Sequence, residues 1–258
     1  MNSNTFSKRI SRSTDNVNSR LRAFIKNQNP KNVHDMRTSI RRMEAIFTLL
    51  PRNIRKKQII TDYLSNSRSL FKNMSTIRDI DIVDGKIGKF EAIAEITNLL
   101  TENAEKRIQL LSVAMKSALA LEKITIPRIK VSQISESKLA KRRKKVERKF
   151  EDYLDEKSTD MLSNPKPQQL HDFRINCKLL RYTLEIDSGK KRKSLEATLE
   201  DIQTVLGSLM DDYTTLRYLS EYSLGDAVAL LVKEINISKD REYNRFARIL
   251  KREFGKKL

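Results

Sequence analysis

The chain has 258 residues with no Trp, one Cys, six Gly and five Pro, too little turn-forming material for a sandwich or barrel of many short strands. Its 52 Lys and Arg against 33 Asp and Glu give a formal net charge of +19, an excess that repels itself and suits an anionic partner. The single cysteine, Cys177, excludes an internal disulfide and a cysteine metal cluster, and no stretch approaches the roughly 20 apolar residues of a spanning helix.

In chain order, Met1–Asn18 is polar and lacks the apolar core of a signal peptide, so a cytoplasmic protein with no membrane insertion is expected. Ser13 to Ile25 is the core of a first helix, ending near Asn27–Pro30. Apolar residues then recur at helical spacing through Val33, Met36, Ile40, Met43 and Phe47 until Pro51. A third helical stretch carries Ile59, Ile60, Tyr63, Leu64, Leu70 and Met74 towards Val83, with Gly85 and Gly88 as punctuation. A long helix follows from Phe90 to about Leu121, presenting Ile93, Ile96, Leu99, Leu100, Ile108, Leu111 and Met115.

The β-branched segment 124–134, with Pro127, reads as a linker between a first repeat at 1–123 and a second at 135–258. The second repeat opens on a very basic helix, Ser135–Leu154. Pro165 and Pro167 precede a helix over Gln168–Ile186. Lys190–Tyr222 is mostly helical, after a tight basic connection at Ser188–Lys193, and two further helices are expected at Gly225–Ile235 and Lys239–Phe254. The fold class is all-α.

Both histidines of the chain sit in one repeated pattern. Val33-His34-Asp35-Met36-Arg37 matches Leu170-His171-Asp172-Phe173-Arg174 at an offset of 137 residues. The match continues through Ile40 with Cys177, Arg41 with Lys178, Met43 with Leu180 and Phe47 with Leu184. A weaker echo sets Ile77-Arg78-Asp79-Ile80-Asp81 against Leu209-Met210-Asp211-Asp212. Residues three, four and seven apart share a helix face. His34, Arg37 and Arg41 therefore form one cationic row, and His171, Arg174, Lys178 and Arg181 another, with Tyr182 just off the line. Each row adjoins an apolar stripe, so one flank packs while the other offers donors to an anion. Arg presents a fork that holds two phosphoryl oxygens, Lys a point charge, and His one or two ring donors. Both histidines are expected in the first helical turn, where free backbone N–H groups favour an anion. The basic helix adds Lys138, Lys141, Arg142, Lys145, Arg148 and Lys149 opposite Leu139, Val146 and Phe150.

At these motifs the chain resembles the CHAD family, the conserved-histidine α-helical domains. The family's first signature is carried here by His34, Arg37, Arg41 and Arg42, and its second by His171, Arg174, Lys178, Arg181 and Tyr182. An Arg-Asp-x-Asp element matches Arg78, Asp79 and Asp81, and a Leu-Gly-x-Leu-x-Asp element matches Leu206, Gly207, Leu209 and Asp211. Glu44 departs from the pattern, standing where arginine is frequent. The resemblance implies two pseudo-symmetric antiparallel bundles of about four helices each, forming one unit. It also implies a groove or pore between them that binds inorganic polyphosphate, with polyphosphate granules as a possible association.

The resulting expectation is a non-enzymatic polyphosphate binder with no cofactor and no metal site. Its binding residues are His34, Arg37, Arg41, Arg42, His171, Arg174, Lys178, Arg181 and Tyr182, extended by Lys138, Lys141, Arg142 and Lys145. Two rivals stand beside it. A chain this basic binds nucleic acid weakly and non-specifically at low salt, but its basic runs lack the stacking rings of single-strand binders. A phosphate-processing enzyme would need Asp79, Asp81, Asp211 and Asp212 to hold a divalent ion, whereas these residues suit pairing with the surplus arginines or helix capping.

Overall fold

The computed structural model describes residues 3–130, 135–185, 193–222 and 228–254, with side chains to 253. Among them every regular element is helical. The α-helices are α1 (Ser3–Lys26), α2 (Pro30–Thr48), α3 (Arg52–Arg55), α4 (Gln58–Asn73) and α5 (Ser75–Ile87), followed by α6 (Ala94–Glu122), α7 (Glu136–Ser158), α8 (Pro167–Leu184), α9 (Lys193–Ser220) and α10 (Ala229–Phe254). Short 3-10 turns occupy Gly88–Phe90 and Asp160–Leu162. Residues 131–134 of the linker, most of the Ser188–Lys193 connection and 223–227 lie outside the described residues.

The chain forms two compact units, neither of them a consecutive half. One draws on Met1–Arg78, Lys106–Arg148 and Tyr182–Asp187, the other on Asp79–Glu105, Lys149–Arg181 and Ser188–Leu258. In the first unit, α1 buries Phe6, Ile10, Thr14, Val17, Leu21 and Phe24, a stripe at helical spacing, and it packs on α2. The helix starts ten residues earlier than its expected core at Ser13, because Phe6 and Ile10 continue the buried face through an otherwise polar leader. The α2 helix answers with Val33, Met36, Ile40, Met43 and Phe47, and it also meets α4. Tyr63, Phe6, Phe24 and Phe47 are all fully buried, each contributing about 1.5–3 kcal/mol through removal from water. The linker's described part is irregular rather than helical. It lies along α1, where the Ser7 hydroxyl donates to the Ile129 carbonyl at 2.9 Å and Arg128 meets Asp15 at 2.9 Å.

In the second unit, α9 packs along α10. Phe173 of α8 stands edge-on to Phe246 of α10 at 5.8 Å between ring centres. A second apolar cluster joins Val83 and Ile87 of α5, Ile96 and Leu99 of α6, Tyr218 and Leu219 of α9, and Leu231 and Ile235 of α10. Beneath it the fully buried Asn103 donates to Asp84 at 2.6 Å and accepts from the Tyr218 hydroxyl.

Two expectations about helix ends are corrected here. Gly85 does not stop α5, which continues to Ile87, since a glycine in a solvated turn lowers helix stability without breaking it. The segment from Ala229 to Phe254 is one helix rather than two. No Gly or Pro separates Ile235 from Lys239, and Ser238 is anchored mid-helix by its hydroxyl, which donates to Asp212 at 2.9 Å.

Candidate functional site

The two motif helices start alike. Pro30 is the first residue of α2 and Pro167 the first of α8, again 137 positions apart, and the histidine is the fifth residue of each. Proline is favoured there because its fixed φ suits the first turn and its missing N–H would have no helical partner. Each start is capped by a side-chain oxygen. Asn29 Oδ1 accepts from the Asn32 N–H at 2.8 Å, and Gln169 Oε1 accepts from the Lys166 N–H at 2.7 Å. Asn164, in the left-handed region at φ 54°, turns the chain into Pro165-Lys166-Pro167, a conformation that asparagine tolerates better than most residues.

This register corrects the expectation that the histidines supply first-turn N–H groups. The helical ladder has already begun one residue earlier, with Val33 N–H bonded to Asn29 O at 3.1 Å and Leu170 N–H to Lys166 O at 3.2 Å. At this register His34 and His171 have only their rings to offer a ligand. His34 is exposed on α2, whereas His171 is half-buried.

In the first unit the cationic row divides its labour. Arg37 donates to the Phe71 carbonyl at 2.7 Å and to the Ser75 hydroxyl at 3.0 Å, with its guanidinium 4.0 Å from the Phe71 ring centre. It therefore ties α2 to the end of α4 and the start of α5. Arg41 lies 4.8 Å from the same ring, and burial lowers its pKa while Tyr182 and Glu44 oppose the shift. Arg42 sits over the buried Tyr182 ring at 5.2 Å, with Glu185 at 4.0 Å. A cavity of about 180 Å³ opens there, lined by Arg9, Arg12, Asn16, Arg42 and Tyr182 among others. Arg9, Arg12 and Asn16 lie on one face of α1, a spacing visible in the sequence but not singled out there. Glu44 is held by Arg68 at 2.6 Å, and Asp35 by Arg20 at 3.0 Å.

On α7, Lys138, Lys141 and Lys145 are exposed. Arg142 instead turns inward, and its Nε donates to the Thr48 carbonyl at the end of α2, at 3.1 Å.

In the second unit, Arg174 lies against the backbone of α9, where a Cβ at Gly207 would come within 3.2 Å of its guanidinium. Arg181 is nearly covered, at 11% exposure, and donates to Glu200 at 2.7 Å. Lys178 is half-buried between them in sequence. His171 lines a cavity of about 600 Å³ with Asp79, Gln168, Tyr213, Arg217 and Ser220, and Arg217 stands 3.7 Å from Asp79. Sequence reasoning missed Arg217, which lies six residues beyond the Leu206–Asp211 element. Asp212 is fully buried and meets Lys86. The pairs formed by Asp79 and Asp212 agree with a structural role for these carboxylates. Among the described residues no group of three or more His, Cys, Asp or Glu is placed to hold a metal, and no described helix is long and apolar enough to cross a membrane.

Solved structures share this fold. The CHAD domain from the plant Ricinus communis superposes with a TM-score of 0.62 at 15% identity, covering 96% of this chain and 91% of its own. PptA from Streptomyces chartreusis superposes with a TM-score of 0.58 at 12% identity, covering 97% and 98%. No curated protein matches the chain. Residues 9–220 match the CHAD domain family, whose members are binding modules rather than enzymes. The chain belongs to the CHAD domain family.

Proposed function

We propose that this protein binds inorganic polyphosphate, with the two sequence repeats, 1–123 and 135–258, as pseudo-symmetric bundles that each contribute one cationic row. The observation that carries the reading is the shared register of α2 and α8. Each is opened by proline and carries histidine at its fifth residue, followed by a basic row on the same face. In the first row His34, Arg41 and Arg42 meet the polymer, while Arg37 holds the helix that presents them. In the second, His171, Arg174, Lys178 and Arg181 play that part, with Tyr182 as a ring platform beneath Arg42. Lys138, Lys141, Arg142 and Lys145 extend the track. A phosphoryl chain has no base edges to read, so charge density and slimness select it over nucleic acid, which the protein binds weakly at low salt. A cytoplasmic protein that associates with polyphosphate granules fits this ligand.

The test is competition at near-physiological salt, about 0.15 M, where the Debye length is about 8 Å. Long-chain polyphosphate, duplex DNA and RNA are compared at matched total phosphate. Polyphosphate wins clearly for the parent, and the Arg41→Ala, Arg174→Ala, Lys178→Ala, Arg181→Ala variant loses most of that preference. Equal competition by nucleic acid, or a variant that binds polyphosphate as the parent does, overturns the reading.

A further inference from the structure

The first unit carries a further cluster of positive charge, at the end of α2 remote from His34. The turn after α2 runs Pro51-Arg52-Asn53-Ile54-Arg55-Lys56-Lys57, with only Ile54 buried. An open cavity of about 760 Å³ is lined there by Pro51, Arg52, Asn53, Lys56 and Lys138, the last from the opening turn of α7. Arg142, one helical turn beyond Lys138, reaches the same corner through its bond to Thr48.

Among the described residues no carboxylate pairs with Arg52, Arg55, Lys56 or Lys138. The Arg55 Nε is buried and meets no hydrogen-bond partner. Burial, with Arg142 and then Arg52 close by, lowers the Arg55 pKa. The one acid near the start of α7, Glu136, is engaged elsewhere, accepting from the Ser3 N–H at 3.0 Å and the Ser3 hydroxyl at 3.1 Å. Like charges gathered in a concave corner repel one another in the unliganded protein, and a multiply charged anion removes that repulsion. Thr48 is 14 residues beyond His34 on α2, about 21 Å along the helix at 1.5 Å per residue.

We infer that Arg52, Arg55 and Lys56, joined by Lys138 and Arg142 from the α7 extension of the proposed track, form an oligophosphate site in the first unit that binds without the histidine rows. Two arginine forks and a buried Nε select tetrahedral phosphoryl oxygens that accept in pairs, and the remaining cations require several linked phosphoryl groups rather than one. The ligand is a short free oligophosphate or one end of a longer polymer. The identity of the ligand rests on the polyphosphate reading above. The existence of an anion site rests on this corner alone.

Calorimetric titration with sodium tripolyphosphate, at the salt concentration given above, tests it on the whole protein. Lys56 and Lys138 are exposed, so Lys56→Glu with Lys138→Glu leaves the helical circular dichroism unchanged. That variant is expected to weaken one class of tripolyphosphate site at least tenfold. Arg55→Lys, which keeps charge but removes the fork, weakens the same class less. Arg174→Ala with Lys178→Ala leaves this class as in the parent. A charge-reversed variant that titrates like the parent overturns the inference, as does loss of every class in the Arg174/Lys178 variant. A parallel titration with long-chain polyphosphate separates the two claims. If the corner responds to tripolyphosphate while the motif variant still binds the long polymer normally, the corner stands and the motif reading falls. If the long polymer depends on the motif helices and the corner is silent, the reverse holds. Weakening of tripolyphosphate and of a short DNA duplex to the same extent would mark the corner as unselective and overturn the oligophosphate assignment.

Discussion

Arg37 reaches Phe71 twice, donating to its carbonyl at 2.7 Å and lying 4.0 Å from the centre of its ring. The carbonyl belongs to the last turn of α4, whose outermost oxygens have no helical partner, so a signature arginine of the motif spends its donors on the fold. Arg37→Ala is expected to lower stability by about 1.5–3 kcal/mol, the range for a hydrogen bond to a charged group. Urea denaturation should show a lower midpoint with an unchanged slope. Arg37→Lys recovers part of the loss. Any fall in anion binding by Arg37→Ala has to be read beside that stability change, which is why Arg37 is left out of the binding variant above.

Lys86 and Asp212 give a sharper prediction. Asp212 is wholly buried and accepts from Lys86 and from the Ser238 hydroxyl. Lys86→Met strands the carboxylate and should cost about 3–5 kcal/mol, whereas removing both charges costs much less than the sum of the single losses. Thermal denaturation of Lys86→Met, Asp212→Asn and the double variant checks this. Additive losses would show that the two groups do not act as a pair.

Gly207 separates stability from binding. Alanine there raises helix propensity by roughly 0.8–1.0 kcal/mol, but its Cβ would stand 3.2 Å from the Arg174 guanidinium. The guanidinium is the far end of a flexible side chain and yields by a few tenths of an ångström. Gly207→Ala is therefore expected to keep or raise the melting temperature while weakening polyphosphate binding severalfold. Leucine at the same position displaces Arg174 further and weakens binding more.

Cys177 is fully buried, and that burial raises its thiol pKa from the ordinary 9.0. Since the thiolate is the reactive form, a thiol reagent should label the native protein only as fast as α8 opens, and raising the pH should accelerate native labelling far less than labelling of the unfolded chain. The linkage has a definite sign. A folded-state pKa above the unfolded value gives stability that is complete below about pH 9 and falls as pH rises from there. A native labelling rate equal to that of the urea-unfolded protein would contradict this environment.

The all-helical class and the paired motifs were legible because they repeat, at one offset, in the apolar and the charged positions alike. Pro30 and Pro167 belonged to the same repeat but read as ends of linkers, since the helix start they mark lies three residues before the first apolar match. Phe6 and Ile10 were hidden by the polar residues around them and by Thr14, which takes an apolar position on the buried face. Ile108, placed by its spacing on the packed stripe of α6, is 68% exposed, because spacing finds a face but does not say how far along a helix that face is covered. The Arg52–Lys56 corner has no periodicity to read. Its site-like character comes from α7, more than 80 residues later in the chain, and only folding brings the two together. Likewise the sequence ranks Arg37 with Arg41 as equal cations, and only the position of Phe71 makes one a brace.

The discontinuous make-up of the first unit has a consequence for its synthesis. The unit draws on residues from the N-terminus through Tyr182–Asp187, so α1, α2 and α4 leave the ribosome well before Tyr182, the ring on which Arg42 rests. About 109 residues separate Asn73 from Tyr182, and at about 5–20 residues per second they take roughly 5–20 s to make. During that interval the nascent chain exposes a basic, partly assembled surface beside ribosomal RNA, the most abundant polyanion in its surroundings. On the proposed reading, the protein completes its own fold while next to a competitor for the same arginines.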